Sequence, residues 1–195
     1  MTSNFIETSP HQLSVLCVVR ASRAISEAVS DPAQWFLAIA DLHRALNSAL
    51  VAALRGSAGI GAYSHRLQRL WLDYFEQSRT SEIEPPAGDR VEPFLDLLSR
   101  VQQASRDLQG EPLTLTAQEK KDLKKLNSFR DDIEHVKPTA WSLEIVGLPR
   151  ILRAAASALD HLYSLPPVYM HLSEVELTAA RDAISQILEV KDFLE

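Results

Sequence analysis

The segment TAQEKKDLKKLNSFRDDIEHVKP, residues 116–138, decides how this chain folds. Thr116 and Glu119 stand at the spacing of a capping box, so a helix begins there. Pro138 disfavours helical geometry at Lys137, so that helix stops near Val136. Outward from it, nearly every segment reads the same way. The chain has only six glycines, and its apolar residues recur at three and four positions instead of two.

Upstream, Pro10 after Ser9 suits a first helical turn, and a helix runs from there to about residue 29. Asp31 and Pro32 mark a second start, with Phe36, Ile39, His43, Leu46 and Leu50 along one side. GSAGIGA, residues 56–62, ends that helix as a turn. It follows a helix and precedes no Lys-Ser/Thr, so it lacks the context of a phosphate-cradling loop. A third helix covers about 62–78 and a fourth about 90–109, the latter with Leu97, Val101, Ala104 and Leu108 on one stripe. Downstream, a sixth helix starts near Gly147–Pro149. Ser173 and Glu176 form a second capping box, opening a last helix over about 173–193. The expected product is all-α: a bundle of six or seven helices in one domain, its core over about 9–165 and its last helix a candidate appendage.

The totals narrow the function. With 195 residues, 46% hydrophobic and 24% charged, the chain has the composition of a globular protein. A lone cysteine, Cys17, permits no internal disulfide and no cysteine-based metal site, which fits a reducing cytoplasm. The N-terminal apolar run lacks an early positive charge and is broken by Ser14 and Arg20, so no signal peptide is expected. No stretch reads as the roughly 18–20 apolar residues of a spanning helix. A net charge of −6 gives no general pull toward nucleic acid, so any such contact needs a local basic surface. Residues 116–138 supply one candidate, at +1 against −7 for the remainder. There Lys120, Lys121, Lys124 and Lys125 place like charges four apart, a small cost that a phosphate backbone would turn into attraction. The alternative is an ordinary solvated face.

The end of this helix carries the chemistry. Arg130 and Glu134 stand at ion-pair spacing, as do Asp131 and His135, and a histidine in a last turn also suits the helix dipole. That account alone uses every polar residue. The other histidines, His11, His43, His65, His161 and His171, show no metal-ligand spacing, and no metal or cofactor is expected. His43, on an otherwise apolar stripe, reads as a satisfied core or interface residue. No nucleophile–histidine–carboxylate pattern is recognisable.

An arginine, four residues and a histidine, late in a helix of an all-α domain, resembles the signature of the HEPN superfamily, with Asp131 in the polar position after the arginine. The likeness extends along the segment. Leu126, Asn127, Arg130, His135, Pro138, Trp141, Ser142, Leu143, Glu144, Gly147, Leu148 and Pro149 are similar to a string in a poorly described bacterial branch of that superfamily. It covers roughly residues 33–165 and departs at Asp131 and Val136, where the branch has Asn and Phe.

The resemblance implies an endoribonuclease that uses no metal, of the toxin or phage-defence kind. Arg130 would hold the phosphate and His135 would move a proton, with Asp131 beside them and Asn127, Lys124 and Lys137 on the substrate. Residues five apart on a helix point about 140° apart, and the resemblance implies that two motifs face each other across a cleft, in a homodimer or with a partner carrying the same domain. RNA and an antitoxin or other protein are the implied partners. The alternative is a non-catalytic helical dimerisation module that binds a protein or a nucleotide.

Overall fold

The computed structural model describes residues 6–103, 108–135, 138, 140 and 142–192. Helices α1 (Pro10–Glu27), α2 (Gln34–Leu54), α3 (His65–Gln77), α4 (Phe94–Val101), α5 (Ala117–Glu134), α6 (Leu148–Tyr163), α7 (Pro166–Tyr169) and α8 (Glu174–Leu188) follow in order. Among the described residues the only β-type pairing is a bridge between Tyr63 and Val91. The chain is all-α, as its periodicity predicts, with seven longer helices and the single turn α7.

Both capping boxes form. Thr116 Oγ1 accepts from the Glu119 amide at 3.1 Å, and Glu119 accepts in return from the Thr116 amide at 2.7 Å. Ser173 and Glu176 repeat the exchange at α8. These local contacts satisfy amides that an open first turn would leave unpaired.

Helix α2 is the axis of the bundle, packing on α1, α4, α5, α6 and α7. Ala38, Leu42, Ala45, Leu46, Ala49, Leu50 and Ala53 are all fully buried, and the alanines let neighbouring helices approach closely. By length and mean hydropathy, 1.3 over its most apolar window, α2 could cross a membrane, contrary to the sequence reading; here the other helices cover most of it. Helix α8 packs on α1 and α6 and buries Ala180, Ile184 and Ile187, so it shares the core of the helices before it.

Three boundaries differ from expectation. Helix α2 begins at Gln34, because Asp31 caps a preceding turn through the Ala33 amide at 3.1 Å. Helix α4 is far shorter than 90–109. Its start is held at Pro93, and its Val101 carbonyl accepts from the Leu113 amide at 2.9 Å instead of continuing the helix. Ala104 lies outside the described residues. Helix α3 starts at His65, after a turn closed at Gly61, where a Cβ would collide with the Leu54 carbonyl.

Candidate functional site

Helix α5 is seated against α2 and α6 by Leu123, Leu126 and Phe129. That packing turns Asn127, Arg130, Asp131 and Glu134 toward the middle of α2, where His43 lies 4.4 Å between centroids from the Phe94 ring. The four side chains His43, Asn127, Asp131 and Arg130 close a circuit of hydrogen bonds. His43 Nε2 donates to Asn127 Oδ1 at 3.0 Å, and Asn127 Nδ2 donates to Asp131 Oδ2 at 3.2 Å. Arg130 Nη1 donates to Asp131 Oδ1 at 2.9 Å, and Arg130 Nε donates to His43 Nδ1 at 3.4 Å.

This circuit dictates the state of His43. One ring nitrogen donates and the other accepts, so the partners assign a neutral imidazole protonated at Nε2. Burial is the main force holding it neutral, pushing its pKa down to about 4, and the Arg130 charge adds to that. The Asn127 bond and the Glu134 and Asp131 carboxylates oppose the shift without reversing it.

A second layer of charge surrounds the circuit. Arg130 Nη1 also meets Glu134 Oε2 at 3.1 Å, and Glu134 Oε1 meets Arg44 Nη2 at 3.6 Å. Arg44 and Arg20 share Asp41, at 3.4 and 3.1 Å. Three arginines thus alternate with three carboxylates across α1, α2 and α5. The exposed members add little stability, since solvent screens them. Their arrangement sets the geometry of Arg130, whose side chain is 26% exposed. Nε and Nη1 are thus engaged, while among the described residues Nη2 makes no hydrogen bond.

The expected residues separate into groups. Arg130, Asp131 and Asn127 are brought together; Asn127 is spent on His43 and Asp131 and serves to position the arginine. His135 stands apart. It caps the C-terminus of α5 with its amide on the Asp131 carbonyl at 3.0 Å, is exposed, and makes no ring contact among the described residues. The expected Asp131–His135 pair does not form, because Asn127 and Arg130 occupy the Asp131 oxygens. The expected Arg130–Glu134 pair does form. Lys124 is exposed on the outer side of α5, and Lys137 and Trp141 lie outside the described residues.

Two contributors escaped the sequence reading. His43 is buried and satisfied, as expected of it, yet its partners are the residues of the site. Arg44 enters through Glu134. The only linear signal was an imidazole next to a cation on the apolar stripe of α2; its partner lies 84 residues away. In comparisons with family models, with curated proteins and with solved structures, nothing matches this chain.

Proposed function

We propose that the chain is a metal-independent endoribonuclease of the HEPN kind, working as a homodimer. The observation that supports this is the part-exposed guanidinium of Arg130, whose Nη2 makes no hydrogen bond among the described residues. Three partners fix its orientation while Nη2 is left for another acceptor. Such a preset donor suits one oxygen of a phosphate, because the cost of ordering the side chain is met before the substrate arrives.

The chemistry then needs a proton carrier. The RNA 2′-hydroxyl loses its proton as its oxygen bonds to the adjacent phosphorus. The bond from phosphorus to the 5′-oxygen breaks, and a proton returns to that oxygen. The products are a 2′,3′-cyclic phosphate and a 5′-hydroxyl, with no net gain or loss of protons. The His135 side chain is exposed, but residues five apart on a helix point about 140° apart, so one copy does not easily bring it to Arg130. A second copy supplies the missing half of each site.

A specific observation favours the other reading, a non-catalytic helical module that binds a protein or nucleotide. Asp131 and Glu134 neutralise the guanidinium and repel phosphate. The two readings part on one assay. The purified protein, incubated with RNA in excess chelator, is expected to cut it and leave cyclic phosphate ends. RNA that stays intact with and without chelator, under a range of sequences, rejects the enzyme and leaves the module.

A further inference from the structure

A second polar site lies at the far end of α2, twelve residues beyond His43 and so about 18 Å along the helix. A cavity of about 400 Å³ opens there between the loop that follows α2 and the α7 turn. Arg55, Ser57 and His171 contribute its polar wall, and Pro166, Pro167 and Met170 an apolar one. The lining includes no carboxylate, in a chain whose net charge is −6.

The groups on the polar wall are available. Arg55 is exposed and makes no side-chain hydrogen bond or ion pair among the described residues, in contrast to Arg20, Arg44, Arg130, Arg150 and Arg153. The Gly56 and Ser57 amides likewise have no partner among the described residues, and Gly56 at φ 63° turns the chain at that point. Consecutive amides at such a turn make a concavity that suits anions.

Behind this wall sits His11. It is buried, donates from Nε2 to the Pro167 carbonyl at 2.9 Å, and lies 4.8 Å between centroids from the His171 ring, tilted by 45°. Burial is the largest influence pushing its imidazole down; the Pro167 hydrogen bond opposes it, and the neighbouring His171 and Arg55 add to it. No carboxylate is among the groups acting on it. The cavity lining therefore carries the Arg55 charge with no carboxylate among its residues to offset it.

We propose that this cavity binds a small phosphate-bearing molecule, the phosphate against Arg55, Ser57 and His171 and the remainder along Pro166, Pro167 and Met170. A guanidinium, a hydroxyl, an imidazole and two amides offer more donors than a carboxylate's two oxygens can use, whereas a phosphate has acceptors for them all. The volume exceeds a bare phosphate and falls in the range of ordinary small-ligand sites, about 300–1,000 Å³. The site shares no residue with the Arg130 circuit, and its proof or failure leaves the ribonuclease reading untouched.

The test is a titration of the full chain with inorganic phosphate and with ribose 5-phosphate, followed by amide and imidazole resonances, with ribose as the neutral control. Saturable shifts are expected at Gly56, Ser57 and His171 with both phosphates and not with ribose. Arg55→Met, on an exposed position, is expected to leave the melting temperature unchanged and to weaken binding by about tenfold, the usual consequence of losing one charge-assisted contact. The absence of saturation by roughly 10 mM, or affinity that Arg55→Met does not alter, overturns the proposal.

Discussion

Replacing His135 by alanine is expected to lower RNA cleavage by about 10²–10⁴-fold, the usual contribution of a positioned proton carrier, and to leave the melting temperature where it was. The second half follows from its surroundings. His135 is exposed at the end of α5, and its side chain makes no hydrogen bond, ion pair or ring contact among the described residues, so its removal should cost little. Arg130→Ala should abolish cleavage too, but with a structural cost. It strips the donor from His43 Nδ1 and leaves Asp131 and Glu134 facing each other without the cation between them. The pair of variants therefore separates chemistry from architecture. Cleavage assays beside thermal melts check it: unchanged activity in His135→Ala ends the catalytic assignment of that residue.

Acid should destabilise the protein through His43 before most carboxylates are protonated. In the folded state its pKa lies at about 4 and in the unfolded chain at about 6.5, so between those values the unfolded chain binds the extra proton. Its share of stability is thus complete above pH 6.5 and disappears as the pH falls toward 4. A shift of that size is worth about 3 kcal/mol at most. The structural reason is direct. A proton on Nδ1 would set one donor against another, the Arg130 Nε–H, and charge a buried ring. His11, also pushed down by burial, acts in the same direction. His43→Gln isolates the effect. Denaturant melts should show the parent losing up to about 3 kcal/mol more than the variant between pH 7 and pH 4, whereas parallel curves across that range would contradict the neutral-imidazole circuit.

How much of this was legible in the residue string depended on distance along the chain. Thr116 with Glu119 and Ser173 with Glu176 declared their helices because both partners lie within one turn. Arg130 with Glu134 was readable for the same reason. Helix α4 was not, since it ends where Leu113 captures the Val101 carbonyl, a contact between separate segments. Asp131 shows the limit inside a single helix: His135 and Asn127 are both four residues away, and only the fold, by placing His43 on Asn127, chose between them. The role of His43 itself depended on which face of α5 meets α2, which no local spacing records. The free edge of Arg130 is likewise a tertiary fact, left over after three partners from two helices have claimed the rest of the guanidinium.

The shared-site claim is tested most directly by mixing two inactive variants. Arg130→Ala and His135→Ala protein, unfolded together in equal amounts and refolded, should form mixed dimers in which one site has both groups intact, the arginine from one copy and the histidine from the other. Random pairing makes about half the dimers mixed, each with one working site of two, so about a quarter of the parent cleavage rate should return. If the mixture is as inactive as its components, while size measurements show that mixed dimers have formed, Arg130 and His135 do not meet across two copies and the account is wrong.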